Sequence, residues 1–146
     1  MAIPDSNEIG DLPTGVHGAS PAEIDVRFGA SSGRRKQLAL RLKRIYELAA
    51  QTGSLARFVV FGSFVTSKME PNDVDVYVVM DDNFDMGTLR GESALLFAHL
   101  AAQAHFGCSV FWVRRMGALG GEQAPIADWQ IKRDGTRRGI VEITGE

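Results

Sequence analysis

The feature that most restricts what this chain can fold into is a pair of short apolar runs joined by a polar connection. Phe58-Val59-Val60-Phe61 stops abruptly at Gly62-Ser63; a second run, Val74, Val76, Val78 and Val79, opens inside Asp73-Val74-Asp75 and closes at Asp81-Asp82. Runs of this length bounded by turn residues read as buried strands. The period of two along a strand then puts Asp73 and Asp75 on one face. Two carboxylates that close repel each other unless a cation sits between them. Magnesium accepts carboxylate and phosphate oxygens together, so the pair suits that ion bound with a triphosphate. Two such ions polarise a reacting phosphate and activate an attacking oxygen. Gly62 removes a side chain where backbone must approach a ligand. Ser63 offers a hydroxyl at a point where a helix can begin, with N–H groups suited to phosphate. Gly-Ser alone reads equally well as a turn and cap, and acidic residues commonly bound strands; it is the joined unit that favours a nucleotide site.

Around this unit the pattern alternates between helix and strand. Residues 1–20 carry Pro4, Gly10, Pro13, Gly15 and Gly18 and read as an irregular arm, with Leu12 and Val16 able to pin it to the domain of residues 21–146. Ser20, Pro21 and Glu23 make a capping-box start for a short helix ending near Gly29. Leu38, Leu42, Ile45 and Leu48 or Ala49 form one stripe of a helix from about Gly33 to Gln51, with Arg34, Arg35, Lys36, Arg41, Lys43 and Arg44 mostly on the rest of its surface. Residues 88–105 predict one packed helix, closed by His105-Phe106-Gly107. Cys108 to Val113 predicts a third strand, and Gly117, Gly120 and Gly121 a loop. Ala127 and Ile131, four apart, suggest a short helix over 123–131. After the turn at Asp134-Gly135, Ile140 to Ile143 predicts a closing edge strand. The fold class that follows is α/β (α+β): a small mixed sheet of three to five strands packed against helices.

Composition narrows the function classes. The 146 residues, 45% of them hydrophobic, suffice for one domain with a real core. No apolar run reaches the roughly 20 residues of a membrane span. The N-terminus lacks the basic and apolar regions of a signal peptide, and a cytoplasmic location is the default expectation. Cys108 is the single cysteine, which excludes a disulfide framework and a thiolate metal cluster. A formal charge of -2 gives no global attraction to nucleic acid or membrane, so any polyanion site has to be local.

The segment FGSFVTSKMEPNDVDVYVVM resembles the signature of the DNA polymerase beta-like nucleotidyltransferase superfamily: a hydrophobic strand, GS, about ten residues, then DxD or DxE. The whole chain is similar, more narrowly, to a family of small nucleotidyltransferase-like proteins. They share a leader like Gly10-Asp11-Leu12-Pro13-Thr14-Gly15, the phrases GSFVTSK and EPNDVDV, and a C-terminal RGIVEI. The resemblance implies a minimal nucleotidyltransferase fold, with Gly62 and Ser63 meeting the triphosphate and Asp73 and Asp75 as the first two carboxylates for Mg2+. It also implies a third carboxylate on a later strand, within an apolar phrase; the matching position here is Ser109, in Cys108-Ser109-Val110-Phe111. A neutral serine is a poor base and a weak magnesium ligand, so the departure bears on transfer more than on binding. Glu142 and Asp128 are the other candidates for that role.

Two readings follow from the resemblance. In one, the protein binds a nucleoside triphosphate with magnesium and transfers a nucleotidyl group to an acceptor hydroxyl. In the other, it is a degenerate member, a nucleotide sensor or the antitoxin half of a toxin–antitoxin pair. The chain has no room for the helical domains that grip the acceptor in larger members, so a protein partner or homodimer mate is expected to supply that role if transfer occurs. Lys68, inside the connection, is a candidate for the terminal phosphate, an exposed lysine being the plainer reading. Lys132, Arg133, Arg137 and Arg138 could meet phosphate or a nucleic-acid backbone, against a plainer solvated basic loop. Arg114 and Arg115 read equally as neutralising the acidic pair or as a surface rim. His17, His99 and His105 lack metal-ligand spacing. Trp129 is expected to cap the core and Cys108 to be a small buried hydrophobe.

Overall fold

The computed structural model describes residues 3–117, 121 and 123–144. Five strands form one mixed sheet: β1 (Val16–Ala19), β2 (Leu55–Phe61), β3 (Val74–Met80), β4 (Cys108–Arg114) and β5 (Ile140–Ile143), in the order β1-β5-β2-β3-β4. β2 is antiparallel to both β3 and β5, whereas the β1–β5 and β3–β4 pairs are parallel. A parallel pair needs a crossover, and helices α3 (Glu92–Leu96) and α4 (His99–Phe106) lie in the one between β3 and β4. Helices α1 (Pro21–Phe28) and α2 (Gly33–Gln51) precede β2, and α5 (Gln123–Asp128) lies between β4 and β5.

Strand alternation sorts the side chains into two layers. Phe58, Val60, Val74, Val76, Val78, Met80, Cys108, Val110, Val141 and Ile143 face the helices and build the main core with Ile24, Phe28, Leu38, Leu42, Ile45 and Leu96. Val59, Phe61, Tyr77, Val79 and Ile140 point the other way and join Ile126, with Trp129 and Val113 packed alongside, in a smaller second cluster. Asp75 belongs to this second face, two residues before Tyr77 and opposite Phe61 on one side and Ser109 on the other.

The expected capping box holds: Ser20 and Glu23 close it at the start of α1, with Pro21 in its first turn. Ser32, not singled out in the sequence, caps α2 by accepting from the Arg35 N–H. As expected, Cys108 is buried, and burial pushes its thiol up to about 12.

Other segments differ, each for a tertiary reason. The arm is irregular only as far as Gly15, because Val16–Ala19 pairs along β5; Leu12 is the residue that pins it, while the Val16 side chain is exposed. The strand at 140–143 is therefore not an edge: β1 covers it on one side and β2 on the other. The single helix expected over 88–105 is a 3-10 turn at Met86–Thr88 followed by α3 and α4. The break falls at Phe97-Ala98. There the Phe97 carbonyl accepts from Trp112 Nε1 at 2.9 Å, and its ring packs among Phe84 and Trp112. Similarly, α5 stops at Asp128; Ala127 and Ile131 are exposed and Ile126 is the buried anchor. The loop expected at Gly117, Gly120 and Gly121 falls partly outside the described residues. Among the described residues no helix is long and apolar enough to cross a membrane.

Candidate functional site

The site sits where β2 ends, on the sheet face away from the main helices. The backbone at Gly62 adopts φ 81, ψ -162, a conformation open in practice to glycine, and a Cβ there would overlap the Asp75 carboxylate. Gly62 thus serves two needs at once: it turns the chain off the strand and leaves the Asp75 side chain its space. Ser63 follows, half-buried, in a 3-10 turn that ends at Val65.

Asp73 stands one residue before β3 and Asp75 within it, close enough for the Asp73 charge to act on the Asp75 carboxyl. The Ser109 hydroxyl donates to Asp73 Oδ2 at 3.1 Å. Burial, and then the negative charge of Asp73, push the Asp75 carboxyl up to about 6; the nearby Ser109 hydroxyl and the Arg138 charge oppose that rise without cancelling it. A partly buried carboxyl beside a second one, with its acidity held back, is the electrostatic condition that a bound cation relieves. Two carboxylates, each giving one oxygen, would leave most of an octahedron for water and phosphate. Among the described residues there is no group of three or more His, Cys, Asp and Glu side chains that could hold a metal ion. The residues available to such an ion are the pair Asp73 and Asp75.

The other candidates for a third carboxylate lie elsewhere. Glu142 shares the face, but Arg57 holds it in a two-pronged ion pair, Nε to Oε2 at 3.0 Å and Nη2 to Oε1 at 2.7 Å. Asp128 is exposed at the end of α5. Lys68 is exposed, and its backbone rather than its amine is engaged: its carbonyl accepts from Arg35 and its N–H donates to Thr66 Oγ1. At the end of β4, Arg114 donates to the Phe84 carbonyl, and Arg115, just past it, pairs with Asp81 at 3.7 Å. His99 opens α4 and its ring Nδ1 meets the Val110 carbonyl.

Arg35 is the residue that sequence reasoning placed wrongly. It is buried, at 2% exposure, and its guanidinium donates to the carbonyls of Phe28, Phe64, Thr66 and Lys68. Beside it, Ser32 Oγ donates to the Met69 carbonyl and Arg34 to those of Pro71 and Asn72. The first turn of α2 therefore grips the connection from Phe64 to Asn72 by its backbone. The run Ser32 to Arg35 gave one signal, a basic residue between the cap and the apolar stripe, but burial could not be read from it.

The second face is roofed at one end by Trp129, stacked 4.2 Å from Phe61 at 18° and 5.0 Å from Phe111. The arm and the hairpin at 130–140 close the side. Ser67 N–H donates to the Gly10 carbonyl, Gly139 N–H to the Leu12 carbonyl, and Gly15 N–H to Gln130 Oε1. Asp11, 4% exposed, meets Lys132 Nζ at 2.8 Å and Arg138 Nη1 at 3.6 Å. A separate cavity of about 240 Å³, lined by Ile24, Leu42, Tyr46 and Ile143 among others, lies on the helical side of the sheet and has no part in this arrangement.

A family model described as "Family of unknown function (DUF6932)" matches residues 4–144. No curated protein and no solved structure matches the chain.

Proposed function

The chain belongs to this family of unknown function, and on the geometry of its own acidic bend we propose that it binds a nucleoside triphosphate together with magnesium. The observation that carries the reading is the crowding of Asp75: its carboxyl lies against Gly62 and beside Asp73, with its acidity held back to about 6. Asp73 and Asp75 would hold the ion, and Gly62 and Ser63 would approach the phosphates with backbone and hydroxyl. Bound magnesium supplies charge neutralisation of the triphosphate and, in a nucleotidyl transfer, polarisation of the reacting phosphate. The chain's own part is to fix Asp75 on a buried strand with Asp73 just before it, and to present Gly62-Ser63 beside them.

In the transfer reading, the acceptor oxygen forms a bond to the alpha phosphorus and pyrophosphate leaves. The resemblance of the GS and DxD elements to nucleotidyltransferases supports this class of reaction. A second reading, a degenerate member acting as a nucleotide sensor or as the protein partner of a toxin, is favoured by one specific contact. Ser109 stands where a third carboxylate is expected, and its hydroxyl is spent on Asp73. We therefore place binding ahead of turnover.

Calorimetric titration with each of the four ribonucleoside triphosphates and magnesium, on the wild type and on Asp73→Asn, tests the binding claim. Binding that requires the metal and weakens at least tenfold in the variant is expected, a loss matching one charge-assisted contact. Heats unchanged by the substitution would sink it. Incubation with alpha-labelled triphosphate and lysate separates the two readings: label transferred to an acceptor supports the enzyme, and binding without transfer supports the sensor or partner.

A further inference from the structure

We propose that Lys132 and Arg138, drawn together by the buried carboxylate of Asp11, form an anion site for the two terminal phosphates of the ligand at the acidic bend, a pyrophosphate-binding wall. This rests on the triphosphate reading and assigns residues that neither the GS turn nor the acidic pair supplies.

The charge count comes first. One buried carboxylate faces two cations, at 2.8 Å and 3.6 Å. It neutralises one of them, so the cluster keeps one positive charge. Both cationic side chains remain 23% exposed although they share a buried carboxylate, so neither is sealed from solvent. A buried carboxylate serves to hold the two heads close together, which two free cations would resist.

Position is the second part. Gly10, next to Asp11, accepts from Ser67, just past the turn that follows Gly62. Arg138 N–H donates to the Gln130 carbonyl, beside Trp129, which stacks on Phe61, the residue before Gly62. Both contacts reach the segment around the end of β2, Phe61 on one side of Gly62 and Ser67 on the other. Arg138 is near enough to Asp75 for its charge to be felt there, yet its ion pair is with Asp11.

Chemistry supplies the third. A polyphosphate beside two carboxylates needs positive charge on its far side as well as a metal on the near side. An arginine fork takes phosphate oxygens in pairs, and a lysine adds a movable point charge. Arg133 and Arg137 lie on the same hairpin, exposed, and serve as the internal control. A merely basic loop would use all four residues alike.

The test is calorimetric titration with inorganic pyrophosphate, with and without magnesium, at two salt concentrations. The proteins are the wild type, Lys132→Gln, Arg138→Gln and the double variant Arg133→Gln/Arg137→Gln. Each of the first two substitutions is expected to weaken pyrophosphate about tenfold, and the control pair less than about threefold. Lys132→Arg and Arg138→Lys, which keep the charge and the Asp11 partner, are expected to retain most of the affinity; they guard against loss through misfolding. Wild-type protein that does not bind pyrophosphate, or equal losses from the control pair, overturns the proposal. The triphosphate reading fails by a different result, nucleoside triphosphate binding that ignores magnesium and Asp73, so the two failures are distinguishable.

Discussion

At the scale of single residues, Asp75 concentrates the energetics of the site. Its carboxyl is pushed from 3.8 to about 6 by burial and by Asp73, against the opposing influence of Ser109 and Arg138. A raised carboxyl binds its proton more tightly in the folded chain than in the unfolded one. Between about pH 4 and 6 the native state therefore holds more protons than the unfolded state, and stability contributed by this group falls as pH rises; the cost is fully present above 6. Removing the charge should reverse it. Asp75→Asn is expected to stabilise the metal-free protein at pH 8 by on the order of 1–2 kcal/mol, after discounting for partial solvent exposure, and to give no such gain at pH 4. Urea unfolding at the two pH values checks this, and an equal effect at both would show that the charge is not the cause. Gly62 is the companion case. Gly62→Ala places a methyl on the Asp75 carboxylate in a backbone conformation that disfavours side chains. A loss of about 1–3 kcal/mol in stability is expected.

At the scale of elements, the connection from Gly62 to Asp73 is held by the first turn of α2 rather than by its own residues. Arg35, itself buried, donates to four backbone carbonyls, those of Phe28, Phe64, Thr66 and Lys68. Lysine cannot reproduce a planar fork of donors. Arg35→Lys is expected to cost about 2–4 kcal/mol in denaturant unfolding and to weaken triphosphate binding through a loosened GS turn; a stability within 0.5 kcal/mol of wild type, a change of about the size seen for ordinary surface substitutions, would show that the clamp is dispensable. The contrast between elements explains what the chain discloses locally. α1 carries its own cap, Ser20 with Glu23, and α2 its own apolar stripe, so both were readable. The break between α3 and α4 was not, because its cause is a hydrogen bond from Trp112, far along the chain, to the Phe97 carbonyl. Asp73 and Asp75 were readable together from their spacing beside Gly62, and Ser109 only through the family resemblance. Asp11, Lys132 and Arg138 were not, since their meeting depends on how two irregular segments pack.

For the whole molecule, the sheet order decides which ends of the chain matter. The arm contributes an edge strand parallel to β5, buries Leu12, and carries Asp11 into contact with the C-terminal hairpin. Neither β1 nor the inner place of β5 could be inferred from residues 16–19 or 140–143, because four-residue strands show little pattern and pairing partners are distant. Removal of residues 1–19 should uncover the β5 edge and leave Lys132 and Arg138 without their carboxylate. Lower thermal stability, together with a tendency to self-associate at the open edge, is expected by differential scanning fluorimetry and light scattering. A truncated chain as stable and monodisperse as the parent would contradict the tertiary role given to the arm.

The most direct measurement of the central claim is manganese binding followed by electron paramagnetic resonance, with manganese in place of magnesium and a non-hydrolysable nucleoside triphosphate present. The protein is expected to remove free-ion signal in proportion to bound nucleotide, and Asp73→Asn/Asp75→Asn to abolish this uptake while the fold persists. Uptake of the ion undiminished in the double variant would place the cation elsewhere and refute the metal site at Asp73 and Asp75.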